Sequence, residues 1–250
     1  MEALEEDNKV LFLSCADSTN TWLKEQILKQ ALSCAAVFAG RQTAGRGRHG
    51  RHWESPEGGL YLSISFPFEN QNFPPIFSCV AAGVAIAGIL RREPYTADVF
   101  LKWPNDIFAG GRKLCGMLSE LVTAPGIAPH VVIGIGLNVN AKVVTADSLY
   151  EAVSLFELKG HEFDVRLLAE QIVSEFRREW RNTVEFGTEQ LISHWCALSE
   201  TPGAHVEVLQ DENRFAGYCV GVSDAFELIV ENENGSRRFS AGDCRTLRQP

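Results

Sequence analysis

IFSCVAAGVAIAGIL, residues 76–90, is the longest apolar run in the chain, and its reading decides the fold. A helix needs ~20 apolar residues to cross a bilayer. This run is shorter, so it predicts a buried helix. Just upstream, LYLSISF (60–66) alternates with the period of a strand. Downstream, VFLKW, DIFAGG and KLCGMLSELV suggest a strand, a turn at Ala109-Gly110-Gly111 and a partner strand. VVIGIGLNV (131–139) is rich in branched side chains and reads as a central strand. Further out, VLFLSCA (10–16) and AAVFAGR (35–41) are strand candidates, and Asp17 or Ser18 can cap a helix over TNTWLKEQILKQ. Amphipathic helices are expected at 164–184 and 188–198. In the first, Leu167, Leu168, Ile172, Val173, Phe176 and Trp180 recur at helical spacing and form a core stripe.

After Pro202-Gly203 the texture changes. HVEVLQ, RFAGYCVGV, FELIV and RRFSAG are short strands divided by DEN and ENENGS turns, the pattern of a small all-β module. The chain therefore divides into a larger domain over residues 1–200 and a β domain over 201–250, with an α+β fold class.

Composition narrows the function. The 250 residues are 45% hydrophobic, with mean hydropathy near zero, ordinary for a globular chain. The net charge of −9, from 23 Lys+Arg against 32 Asp+Glu, argues against nucleic acid as the main ligand. MEALEEDNKVLFL lacks the basic start of a secretory signal. Seven cysteines (Cys15, Cys34, Cys79, Cys115, Cys196, Cys219, Cys244) without a CxxC pair fit neither a disulfide framework nor a zinc ribbon. Reduced thiols and a cytoplasmic location are expected.

Against this acidic background, GRQTAGRGRHGRHW (40–53) stands out. Gly45, Gly47 and Gly50 let the backbone take positive φ and approach a ligand. Successive N–H groups in such a loop bind anions, and Arg41, Arg46, Arg48 and Arg51 add charged forks that suit carboxylate and phosphate. The long segment 40–59 has no hydrophobic period, as functional loops do. Alone it is equally a solvated basic loop, and it is neither a P-loop nor a dinucleotide fingerprint. LKWPNDIFAGGRKLCG (101–116) adds Lys102, Lys113 and Asp106, with Pro104 bending the chain beside Trp103 and putting Asn105-Asp106 at a turn. Solvated lysines and a plain turn aspartate are the bland alternatives. DSTN (17–20) is a helix cap whose hydroxyls can also hold a small polar ligand.

Taken in order and spacing, GRQTAGRGRHGRHW, LKWPND, RKLCGML and GIGLNVN, with DSTN before them, closely resemble the biotin protein ligase family. The likeness runs from about residue 10 to the end. It implies a mixed-sheet catalytic domain of the class II synthetase-like type followed by an SH3-like barrel. It also implies activation of biotin by ATP with Mg²⁺, and transfer to a lysine of a biotin carboxyl carrier domain. By the same resemblance, Ser18, Thr19, Asn20 and Gln42 line the biotin pocket, with Tyr61 and Ser63 beside them. Gly45, Arg46, Gly47 and Arg48 belong to the stretch that closes over biotin and the phosphate, and Trp53 lies beside the adenine. Lys102, Asn105 and Asp106 support nucleotide and metal, with Mg²⁺ near Asp106. Lys113 contacts the biotin carboxylate and the adenylate phosphate, Gly116 lets biotin approach the backbone, and Asn138 belongs to the nucleotide site. Lys102, Asp106, Lys113 and Arg48 are then the catalytic set. His49 departs from the basic residue often found in relatives. The chain begins at the catalytic domain, so no operator binding is expected, nor any membrane contact. The resemblance is compatible with a monomer or a homodimer. A lipoate ligase of the same superfamily, a non-enzymatic biotin sensor and a nucleic-acid module using the arginine loop are the competing readings.

Overall fold

The structure is a computed structural model that describes residues 10–30, 35–68, 72–142, 150–210 and 213–247. The acidic start up to residue 9, Cys34, and Asp211 and Glu212 of the DEN turn lie outside the described residues.

A seven-stranded sheet runs in the order β1-β2-β3-β7-β6-β5-β4. Its strands are β1 (Val10–Leu13), β2 (Ala35–Ala39), β3 (Leu60–Pro67), β4 (Val99–Lys102), β5 (Asp106–Ala109), β6 (Arg112–Ala124) and β7 (Ile127–Leu137). β1 and β2 are parallel and the remaining pairs antiparallel, so the sheet is mixed. The apolar run forms α2 (Phe77–Leu90), in which every residue except Gly88 is buried. A helix apolar all round needs cover on all sides. The sheet covers α2 on one side, and α4 (Val165–Phe186) and α5 (Glu189–Ala197) cover it on the other. α1 (Thr19–Leu28) lies on the opposite face of the sheet, where Leu23 and Ile27 pack with Val37, Val122 and Val132.

Local chemistry sets the ends of these helices. Ser18, in extended conformation, caps α1 by accepting the Thr21 N–H at 3.5 Å, while Asp17 Oδ1 accepts the Ser18 N–H at 2.6 Å. A short helix α3 (Leu155–Lys159) opens with a reciprocal Ser154–Glu157 capping box and closes on Gly160 in left-handed conformation. Asp164 caps α4. Leu168, Ile172, Val173, Phe176 and Trp180 are buried, but Leu167 is 50% exposed, which corrects its place in the core stripe. The buried stripe runs through Leu168, Ala169, Ile172, Val173, Phe176 and Trp180, and Leu167 lies off its edge.

One strand reading is borne out and another changes. LYLSISF forms a strand as its alternation predicts, and all seven residues are buried. β3 lies in mid-sheet with helices over both faces: Leu60, Leu62, Ile64 and Phe66 join the main core, and the intervening Tyr61, Ser63 and Ser65 face the other way. DIFA is a strand in its own right, with Lys102 opposite Asp106 across the Trp103-Pro104-Asn105 turn. The β5–β6 turn follows at Gly110-Gly111, both at positive φ.

Beyond α5, a second, antiparallel sheet has the order β11-β10-β9-β8-β12. It comprises β8 (His205–Gln210), β9 (Asn213–Val222), β10 (Leu228–Asn232), β11 (Gly235–Phe239) and β12 (Asp243–Thr246). Phe226 ties it to the first sheet. Its ring meets Phe77 and Trp195, and its carbonyl accepts the Trp103 indole N–H at 3.1 Å. No helix among the described residues is long and apolar enough to cross a membrane.

Candidate active site

Several elements converge on one cavity of about 1000 Å³. The start of α1 brings Ser18, Thr19 and Asn20. The loop between β2 and β3 brings Gln42, Arg46, Gly47, Arg48 and Trp53. β5 to β7 contribute Asp106, Lys113, Gly116, Leu118, Gly134 and Gly136, with Asn105 and Asn138 at their ends. The second sheet closes one side with Leu209, Gln210, Ala241, Gly242 and Asp243.

One end of the cavity is polar and neutral. Thr19 N–H donates to Gln42 Oε1 at 2.9 Å, and Gln42 Nε2 donates to Ser55 Oγ at 3.0 Å. Ser63 Oγ lies 2.7 Å from Thr19 Oγ1 and 2.6 Å from Asn20 Oδ1. Asn20 Nδ2 in turn donates to Glu120 Oε2 at 2.8 Å. Glu120 also pairs with Lys24 at 2.8 Å and with Arg46 at 3.2 Å. Burial raises the Glu120 carboxyl, but hydrogen bonds from Lys24 and Asn20 and the charges of Lys24 and Arg46 outweigh it and hold it below its ordinary value.

The other end is cationic. Lys113 Nζ lies 2.8 Å from Asp106 Oδ1. Arg48 donates to Asn105 Oδ1 at 3.1 Å and, through both terminal nitrogens, to Gly242 O at 3.2 Å. Asn105 is oriented by Met117, whose carbonyl accepts from its amide and whose N–H donates to its backbone carbonyl. Burial lowers the Arg48 guanidinium from its ordinary value, opposed chiefly by Asp243 and Asp106. Next to it, Arg51 pairs with Asp243 at 2.9 Å.

Trp53 stands between the two ends. A Cβ on Gly136 would lie 2.5 Å from its indole, and one on Gly116 would lie 2.9 Å from it, so both glycines are the floor on which the ring rests. Trp53 Nε1 is buried with no hydrogen-bond partner among the described residues. Of the loop glycines, Gly50 takes positive φ and Gly45 and Gly47 do not. At Gly45 the requirement is space instead, because a Cβ would sit 2.4 Å from Trp53 O. His49, at φ 55, adopts the left-handed turn beside Gly50.

Most residues expected at the site reach the cavity wall, but four do not: Ser63 is fully buried behind Thr19 and Asn20, and Gly45, Tyr61 and Lys102 also fall short. Gly45 is packed behind the wall. Tyr61 is buried and donates its hydroxyl to Pro56 O at 2.7 Å. Lys102 lies behind Asp106, with Nζ 3.7 Å from the Tyr150 ring centre and 4.3 Å from that of Phe108. Burial lowers the Lys102 ammonium to about 8, against the opposing influence of Cys244 and Asp106. Asn138 reaches the wall, but its amide donates to Val153 O at 3.1 Å and so braces the segment that pairs with Lys113. Cys115 is fully buried and its thiol is pushed up by burial, which makes it a packed residue and not a nucleophile.

The sequence reading missed Glu120, Lys24, Tyr150, Gly242 and Asp243. Glu120 was within reach of pattern reasoning: Gly116, Leu118 and Glu120 share one face of a strand of period two. Gly242 and Asp243 carried no such signal, since only the packing of the second sheet brings them to the arginine loop.

Residues 12–138 match the biotin/lipoate A/B protein ligase family. The chain belongs to this family. The similarity extends past the matched segment. The bifunctional ligase/repressor BirA of Escherichia coli is 31% identical over 238 residues, covering 94% of this chain and 73% of BirA. The biotin–[acetyl-CoA-carboxylase] ligase of Mycobacterium tuberculosis is 31% identical over 222 residues, covering 85% of this chain and 79% of that protein. Among solved structures, the biotin protein ligase of Aquifex aeolicus in complex with biotin and ATP superposes with a TM-score of 0.83 at 26% identity, covering 96% of this chain and 99% of that one. The mixed sheet followed by a smaller antiparallel sheet is thus the architecture of this family.

Proposed function

We propose that this chain is a biotin protein ligase. It condenses biotin with ATP to biotinyl-5′-AMP and pyrophosphate, then passes the biotinyl group to the ε-amino group of a lysine on a biotin carboxyl carrier domain. The observation that carries the reading is the division of one cavity into a neutral hydrogen-bonding end and a cationic end, with Trp53 between them. Biotin has the matching halves: a neutral bicyclic ring and a carboxylate on an apolar tail.

The first step brings two anions together, the biotin carboxylate and the α-phosphate of ATP. Arg48 and Lys113, both on the cavity wall, supply fixed positive charge where negative charge develops on the phosphate. The carboxylate is already a nucleophile, so positioning supplies much of the remaining barrier reduction. Among the described residues no three His, Cys, Asp or Glu side chains converge as a metal site. Mg²⁺ is ordinarily carried on substrate phosphates with only one or two protein carboxylates, and Asp106 is a carboxylate placed to serve. When bound, the ion would offset phosphate charge.

The adenylate is a mixed anhydride that water destroys. The arginine loop roofs it: Arg46 is tied to Glu120 at one end, and Arg48 and Arg51 to Gly242 and Asp243 at the other. For transfer, the acceptor ammonium must lose a proton. Lys113 holds Asp106 at 2.8 Å. A phosphate that draws Lys113 away leaves the Asp106 carboxylate free to take that proton.

Incubation with biotin, ATP, Mg²⁺ and a carrier domain, followed by intact-mass measurement, tests the proposal. A mass gain of one biotinyl group on the carrier is expected. A gain only when lipoate replaces biotin would assign the chain to the lipoate branch of the family, and no gain with either would refute ligase activity.

A further inference from the structure

The neutral end of the cavity depends on a residue outside its wall. Glu120 lies on β6, behind Asn20 and Arg46, and its carboxylate meets three donors: Lys24, Asn20 and Arg46. The protons of the buried hydroxyls follow from it by counting. Asn20 Nδ2 faces Glu120 Oε2 and Leu118 O, at 2.8 and 3.4 Å, and both of these atoms only accept. Its Oδ1 must therefore be the atom 2.6 Å from Ser63 Oγ, and Ser63 must donate its single proton there. The 2.7 Å contact between Ser63 and Thr19 Oγ1 is then served by the Thr19 proton. Gln42 Oε1, 3.1 Å from Thr19 Oγ1, receives the Thr19 backbone N–H and keeps accepting capacity for a ligand. One ionised carboxylate thus sets the polarity of a chain that runs Glu120–Asn20–Ser63–Thr19.

We infer that Glu120 is a positioning residue for recognition of biotin's cyclic urea: it fixes the direction of donors along Asn20, Ser63 and Thr19 and pins Arg46 over that end of the cavity. The inference rests on the biotin reading. A cyclic urea presents one acceptor flanked by two N–H donors, so it pairs well only with a wall whose donors and acceptors have a single arrangement. Buried networks of this kind discriminate strongly because a reversed or missing partner leaves polar groups unpaired. Glu120→Gln preserves volume but replaces one accepting oxygen with a donor and removes the charge that holds Lys24 and Arg46. The introduced amide can then turn its N–H toward Asn20, reverse that side chain and reverse the hydroxyls behind it.

The test is calorimetric titration of biotin into wild type and Glu120→Gln, with melting temperature and the KM for biotin and for ATP measured alongside. Biotin affinity is expected to fall tenfold or more and the KM for biotin to rise in step, with the KM for ATP within twofold and the melting temperature nearly unchanged. Ser63→Ala, which interrupts the chain but leaves every ion pair of Glu120 in place, is expected to cost biotin affinity several-fold with the same selectivity, and it stands in if Glu120→Gln does not fold. Biotin affinity within twofold of wild type in either folded variant, or equal losses toward biotin and ATP, would overturn the inference. A wild type that binds no biotin would overturn the reading of the cavity itself.

Discussion

The two ends of the cavity are made in opposite ways. The neutral end is built into secondary structure: Thr19 and Asn20 open α1, Ser63 is in mid-β3, and Glu120 is on β6, with Thr19, Asn20 and Ser63 buried and already hydrogen-bonded to one another. The cationic end sets Lys113 on β6 and Asp106 on β5 beneath a loop. Arg48 is held by Asn105 and the Gly242 carbonyl, and Arg51 by Asp243, contacts that reach across to the second sheet. A rigid end suits a step that must tell one small neutral ring from another. A loop end suits a step that must admit ATP, cover a labile product and later reopen for an acceptor. The neutral end is thus fixed by buried hydrogen bonds within the sheet and α1, whereas the loop over the cationic end is held by contacts that cross to the second sheet.

Substitutions at the cationic end should affect the chemistry more than they affect biotin binding. Lys113→Ala should have the largest effect. It removes the fixed cation at the phosphate, so biotin-dependent ATP–pyrophosphate exchange should fall on the order of 10³-fold, as removal of a single transition-state donor does. Biotin binding without ATP should weaken by less, through loss of one contact to the biotin carboxylate, and equal losses in the two would blur the division between the ends. Arg48→Ala comes next. Losing charge-assisted hydrogen bonds should speed escape of the adenylate roughly tenfold to a hundredfold, measured as release of labelled adenylate into solution.

Lys102 gives a smaller, pH-dependent effect. Burial holds its ammonium at about 8, below its ordinary value. Its charge is therefore present below about pH 8 and lost as pH rises through that value in the free enzyme. The kcat/KM for ATP, which reports free-enzyme groups, should decline severalfold across that limb. Lys102→Arg keeps its charge and should flatten it. The smallest effect belongs to Arg51→Ala. Its pair with Asp243 is partly exposed, and exposed pairs contribute under about 1 kcal/mol and fade in salt. Adenylate release should rise only a few-fold, and less at high ionic strength.

Much of this was legible in the sequence because it was written locally. The cap at Ser18 and the apolar helix each follow from neighbours along the chain. Gly116 was expected to admit biotin, and the packing of Trp53 against Gly116 and Gly136 is visible only in the fold. What was not legible depended on tertiary phase or distance. Leu167 matched a helical spacing, but the stripe that packs on the core begins at Leu168 and leaves Leu167 exposed. Tyr61 was expected at the pocket, but the alternation of β3 cannot reveal that its hydroxyl is taken by Pro56. Lys102 was expected to face the nucleotide and instead lies between aromatic rings behind Asp106, an arrangement that needs Tyr150, 48 residues further along. The contribution of Gly242 and Asp243 to the arginine loop joins positions nearly 200 residues apart, and no local pattern announces it.

The account stands most directly on whether the two ends of the cavity work on one pair of reactants. Exchange of labelled pyrophosphate into ATP measures this without an acceptor protein. Exchange that requires biotin, and that lipoate does not support, is the predicted result. Exchange without biotin, or none in its presence from folded protein, would contradict it.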